Sequence, residues 1–210
     1  AGFVHGVLNT DNINVTGESF DYGPWRFAPT WDPGFTAAYF DHAGLYAFGR
    51  QPEAIHWNAG QLAVALRTLA PAEPLIATLE EFPALYQDAV ADRFLWRLGV
   101  KPIDQVANLA VVQAAERGLR ESGLGIDRFF HASFGGRAPD GAAWDALRTA
   151  LAPYQQRKSG PLPSDPNAPC AMLIDEVEAI WSAIDERDDC APLHAKVAAI
   201  RALGAAQIGR

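Results

Sequence analysis

Three residues near the start of the chain, Asp11, Asn12 and Asp21, have the types and the spacing to do chemistry on a phosphate ester. Asn12 offers an amide oxygen and Asp21 a carboxylate. Hard divalent cations such as Mg²⁺ take oxygen donors of that kind, usually one or two from a protein, and fill the remaining positions with phosphate oxygens and water. Asp11 lies beside them and has the chemistry to accept a proton or orient a nucleophile. Between Asn12 and Asp21 run Ile13-Asn14-Val15, the turn formers Thr16-Gly17-Glu18-Ser19, and Phe20. That pattern predicts a short strand, a turn and a second strand. A hairpin there would bring Asn12 and Asp21 together at its open end.

The spacing is that of protein-kinase loops. Such enzymes carry H-R-D-L-x-x-x-N followed by D-F-G. His5 and Asn12 keep the histidine-to-asparagine interval, and Asp21-Tyr22-Gly23 stands in the place of D-F-G. Val7 occupies the position where kinases hold the aspartate that orients the acceptor, while Asp11 has appeared next to the asparagine. His5 is read as structural, a residue that holds backbone.

A more specific resemblance rests on longer strings. His5 to Asn12 (HGVLNTDN), Phe20 to Pro24 (FDYGP), Trp31 to Phe35 (WDPGF), Tyr46 to Pro52 (YAFGRQP) and Trp57-Asn58 resemble the selenoprotein O family over residues 1 to about 70. The resemblance implies a protein-kinase-like fold, of which this chain would be the larger, C-terminal lobe. It implies ATP bound in a flipped orientation, Mg²⁺ or Mn²⁺, and transfer of AMP to Ser, Thr or Tyr hydroxyls of proteins. Carried over by position, Asp11 is the catalytic base, Asn12 and Asp21 are the metal ligands, and Asp21 meets ATP through the metal. Many members of the family end in Cys-x-x-Cys or Cys-x-x-selenocysteine; this chain ends Gln207-Ile208-Gly209-Arg210. The family's Gly-rich loop, lysine and phosphate-gripping arginines lie upstream of its catalytic loop, and no G-x-G-x-x-G occurs here. The chain is therefore read as the C-terminal part of a longer enzyme, inactive when made alone. Two rival readings stay open: a kinase-like phosphotransferase, and an inactive module that binds nucleotide or a partner.

The elements that must position these residues are mostly helical, so the fold class is mainly α with a small β-hairpin near the N-terminus. Ile55, Ala59, Leu62, Leu66 and Leu69 recur at helical spacing and share one face, with Pro71 ending the helix. A second helix is predicted from about Glu80 to Leu98, stopped by Gly99, and a third from about Ile103 to Glu121, closed by Ser122-Gly123. Asp140 is the expected N-cap of a fourth, with Trp144, Leu147 and Leu151 inward. Two more are predicted near Leu173–Ile184 and Pro192–Leu203. The whole reads as a single domain, with the catalytic and metal-binding loops in 1–24, a helical core in 50–158 and an extension in 159–210.

Trp57, Trp96, Trp144 and Trp181 are expected as core anchors. Asp175, Glu176 and Glu178 are expected on the solvated first turn of a helix. Phe134 to Arg137 reads as a connector rather than an anion-binding turn, and Asp41-His42 as a segment with a minor claim to substrate positioning. The formal net charge of −8 argues against nucleic acid as a partner. No apolar run approaches the ~20 residues of a membrane span. Cys170 and Cys190 match no zinc pattern and are expected as reduced thiols, which suits a cytoplasmic bacterial protein.

Overall fold

The computed structural model describes residues 2–19, 23–157, 160–163, 165 and 168–208. It is mainly helical, with one small antiparallel sheet near the N-terminus. The described residues cluster into two compact units, one of 2–28 and 32–89, the other of 29–31 and 90–210.

The first unit carries the 5–12 loop, in which the sequence places Asp11 and Asn12. Its sheet pairs β1 (Phe3–Val4) with β2 (Arg26–Phe27), Phe3 opposite Phe27 and Val4 opposite Arg26. Phe3, Trp25 and Phe27 form an aromatic cluster, with ring centroids 5.5 to 6.2 Å apart. This sheet is not the hairpin expected between Asn12 and Asp21. There the described residues show a single antiparallel bridge, Ile13 to Ser19, closed by a turn in which Gly17 adopts φ 84°. Beyond that bridge the second strand expected at Phe20 and Asp21 lies outside the described residues.

Helix α1 (Gln51–Leu66) has proline at its second position, where the missing N–H costs nothing. It ends at Leu66, short of Pro71, and its expected apolar stripe is not buried: Leu62 is 40% exposed and Leu69, beyond the helix, 84%. The α1 residue that is buried is Asn58. Helix α2 (Ala72–Leu98) begins at Ala72 rather than near Glu80. Pro74 falls in its first turn, where backbone N–H groups have no intrahelical acceptor to lose, so the helix starts before it. Pro83 sits within the helix.

The second unit holds the large core. Phe94, Leu95 and Leu98 of α2 are buried, with Val111, Ala115 and Leu119 of α3 (Gln105–Ser122). The same core takes in Phe129 and Phe130 of α4 (Ile126–Ser133) and Leu147 and Leu151 of α5 (Asp145–Leu151). Helix α3 is capped by Asp104, whose side chain accepts from the Ala107 N–H at 2.9 Å, and closed by Gly123 at φ 65°. Helix α4 was not anticipated, although Ile126, Phe129, Phe130 and Ser133 recur at helical spacing and all four are buried. Asp140 does not cap α5. The chain passes through Gly141 at φ 107° into a short 3-10 turn, Ala142–Trp144, and from there into α5.

Trp144 is 3% exposed and stacks on Phe129 at 5.1 Å, as a core anchor should. Trp57 and Trp181, expected in the same role, are 58% and 62% exposed. Helices α6 (Ile174–Arg187) and α7 (Ala191–Ile208) follow. Asp175 and Glu176 lie in the first turn of α6, and Glu176 pairs with Lys196 of α7. The Gly135-Gly136 turn is a connector: its two N–H groups donate to the Leu98 carbonyl at 2.8 and 3.3 Å. Cys170 and Cys190 are unbridged. No helix among the described residues is long and apolar enough to cross a membrane.

Candidate active site

The loop from His5 to Asn12 is fixed by hydrogen bonds to its own backbone. Its apolar support is thin, since the buried apolar residues of this unit are mostly alanines, with Val4 and Leu8. Gly6, at φ 89°, lets the chain turn where any side chain would collide: a β-carbon there would lie 2.8 Å from Pro24 Cγ and 3.1 Å from Ala37 Cβ.

His5 is 2% exposed and organises the turn. Its Nδ1 accepts from the Val7 N–H at 3.2 Å, so that nitrogen carries no hydrogen. In the neutral ring Nε2 then bears the proton and donates to Ser19 Oγ at 2.6 Å. Ser19 Oγ in turn donates to the Asn12 carbonyl at 3.0 Å. The polarity of this chain, imidazole to hydroxyl to carbonyl, follows from its first bond. His5 thus holds backbone, as its position suggested, and it reaches Asn12 through Ser19.

Asn12 ends a short 3-10 turn, Thr10–Asn12, and is 8% exposed. Its Nδ2 donates to the Val7 carbonyl at 3.1 Å. That bond fixes which end of the amide is nitrogen and leaves Oδ1 as the atom able to donate a lone pair, a hard oxygen that fits Mg²⁺. Asp11, one residue earlier, is exposed to solvent. Asp21 lies outside the described residues. Among the described residues no group of three or more His, Cys, Asp or Glu side chains converges as a metal cluster.

Two residues of α1 pin the loop from beneath. Gln51 Oε1 accepts from the His5 N–H at 3.1 Å while its Nε2 donates to the Phe3 carbonyl at 2.9 Å. Asn58 Nδ2 donates to the Leu8 carbonyl at 2.6 Å, and its Oδ1 is buried without a partner. Neither was singled out as a site residue from the sequence. Their signal was there: polar amides seven positions apart fall on one helical face, amid a stripe read as apolar.

The loop's outer side is braced by Tyr46, whose hydroxyl donates to Asn9 Oδ1. Burial, and then the negative charges of Asp41 and Asp11, raise the Tyr46 phenol above its ordinary value of 10.0, so it remains a donor at neutral pH. Asp41 accepts the Leu45 and Tyr46 N–H groups at 2.7 and 2.8 Å, one on each oxygen. Its first duty is therefore to shape the 41–46 turn. His42 is exposed.

Residues 1–138 match the family model described as "Protein adenylyltransferase SelO". A relative from Gloeobacter violaceus, named protein nucleotidyltransferase YdiU, is 34% identical over 222 aligned residues, covering 95% of this chain and 46% of its own length. Relatives of the same name from Synechocystis and Trichodesmium erythraeum are 48% and 42% identical, over 48% and 62% of this chain and 21% and 27% of theirs. The chain spans less than half the length of these curated relatives. With two thirds of its residues under the family model and a relative aligned along nearly all of it, the chain belongs to the SelO family.

Proposed function

We propose that this chain carries the catalytic loop of a protein adenylyltransferase, which moves AMP from ATP to a Ser, Thr or Tyr hydroxyl of a protein. The observation that carries the reading is the fixed amide of Asn12: its nitrogen is engaged by Val7, its oxygen is left to donate, and an exposed carboxylate, Asp11, stands next to it. The family's description and the relatives' names support the same chemistry.

In this reading Asp11 accepts the proton of the acceptor hydroxyl. The freed oxygen bonds to the α-phosphorus of ATP, the bond from that phosphorus to the bridging oxygen breaks, and pyrophosphate leaves. Asn12 Oδ1 and the Asp21 carboxylate would hold Mg²⁺, whose bound charge offsets that of the triphosphate. His5, Ser19, Gln51 and Asn58 keep the loop in one conformation, so that little reorganisation is needed as charge moves. The resemblance puts the groups that clamp the phosphates in the part of the family's length outside this chain, and the chain made alone should not transfer AMP.

A chimera in which this chain replaces the matched portion of the Gloeobacter violaceus relative tests the reading. Incubated with Mg²⁺ and a protein acceptor, it should transfer label from α-labelled ATP and not from γ-labelled ATP. Asp11→Asn should lower the rate by about 100-fold or more, the usual worth of a positioned base. Transfer of the γ-label would overturn the reading in favour of a phosphotransferase.

A further inference from the structure

We infer that the groove between β2 and the 36–44 loop is a docking site for an acidic segment of the acceptor polypeptide, with Arg26 as its specificity determinant. The groove has a volume of about 570 Å³ and is lined by Arg26, Thr36, Tyr39, Asp41 and His42 among others. Arg26 is mounted on the sheet, opposite Val4, which is fully buried. The neighbouring Trp25 and Phe27 are locked in the aromatic cluster with Phe3, so the strand that bears Arg26 is rigid.

The guanidinium of Arg26 makes no hydrogen bond or ion pair among the described residues. Among the described residues lining the groove the one carboxylate is Asp41, and both its oxygens accept N–H groups, from Leu45 and Tyr46. Arg26 is half-buried as a residue, and a guanidinium with five donors and no acceptor calls for a carboxylate or another oxyanion, which it grips in a planar fork. His42 adds a second donor to the same wall. At the rim, Tyr39 is 88% exposed and meets Phe40 edge to face at 5.3 Å, an aromatic surface suited to the body of a peptide.

The chain as a whole carries −8, so its long-range field does not favour acidic partners. Selection by Arg26 must therefore be local. A polypeptide fits better than nucleic acid, because one guanidinium and one imidazole do not make the extended basic track that a polyanion needs. The groove also adjoins the catalytic loop. A β-carbon on Gly6 would lie 3.4 Å from the Ala38 nitrogen, and Asp41 positions Tyr46, which bonds Asn9, two residues from Asp11. A segment seated there would present a nearby hydroxyl to Asp11. This inference rests on the transfer reading for the identity of the acceptor, but binding tests it without any transfer.

The test is fluorescence anisotropy of this chain, without nucleotide, against two labelled serine-containing peptides that differ only in carrying aspartate or lysine beside the serine. The aspartate peptide should bind at least about tenfold more tightly, the scale of one charge-assisted contact. Arg26→Ala should abolish the preference and Arg26→Lys should keep part of it, with helical circular dichroism unchanged in both. Tyr39→Ala should weaken both peptides alike, because the aromatic rim is indifferent to charge. Equal affinities, binding of neither peptide, a preference that survives Arg26→Ala, or tighter binding of a short oligothymidylate would each overturn the inference. Loss of AMP transfer with the peptide preference intact would instead count against the transfer reading alone.

Discussion

Ser19 is the hinge of the residue-scale arrangement, since it joins an imidazole donor to the carbonyl of the proposed metal ligand. Ser19→Ala removes the hydroxyl that His5 and Asn12 share. A hydrogen bond of this kind contributes about 1 kcal/mol to stability, so the melting temperature should fall modestly. The larger effect should be on the chimera's rate, because the Asn12 backbone loses its brace while Asp11 and the Asn12 amide are chemically untouched. Steady-state kinetics should show a drop in kcat of about tenfold or more, the cost of small misplacement at a reacting centre. An unchanged kcat, with the melting temperature lowered, would make Ser19 a purely structural residue. Thr at the same position keeps the hydroxyl and should restore most of the rate.

At the scale of elements, Gly118 in α3 lies directly against the Trp144 ring. A β-carbon there would sit 2.4 Å from the Trp144 ring, nearer than carbon atoms can come. Gly118→Ala should therefore destabilise the protein by about 1–3 kcal/mol even though alanine is the better helix former. Urea unfolding should show the loss as a lower midpoint with an unchanged slope. Helix α3 is legible as about Ile103 to Glu121 from its stop at Ser122-Gly123, and Gly123 does close it; the Asp104 cap shows only in the structure. Helix α4 was missed because eight residues between two glycine-containing turns look like a connector until Phe129 and Phe130 find partners. Near the active site the strings of residues pointed to Asp11, Asn12 and Asp21, and the structure describes the first two. The bonds from Gln51, Asn58 and Tyr46 join positions 37 to 50 residues apart, and local spacing cannot announce such contacts.

Across the whole molecule the apolar material is unevenly spent. The helical unit buries Phe94, Phe129, Phe130, Trp144 and several leucines. The unit with the 5–12 loop buries mainly small residues and exposes Trp57, Val64, Ile76 and Leu85. Burying a large apolar side chain contributes about 1.5–3 kcal/mol, so the two units should differ in local stability. Hydrogen exchange under native conditions should find the slowest amides in α3 and in the part of α2 around Leu95. Amides of α1 and the 5–12 loop should exchange sooner. Uniform protection across both units would mean that the polar network is as stabilising as the core.

One feature of α1 bears on how this sequence can vary in length. Gln51 and Asn58 each grasp a different point of the loop, and their separation along the helix is roughly 10.5 Å at 1.5 Å per residue. The helix therefore acts as a ruler whose two marks must stay in phase. Adding or deleting one residue between them would turn one mark by about 100° relative to the other and release either His5 or Leu8. Substitutions on the outer face of that interval leave the phase intact, and so do length changes in the 67–71 turn that follows. Insertions and deletions should thus be tolerated after Leu66 but should release the loop if made between Gln51 and Asn58, which makes the six residues between them the least editable stretch of α1.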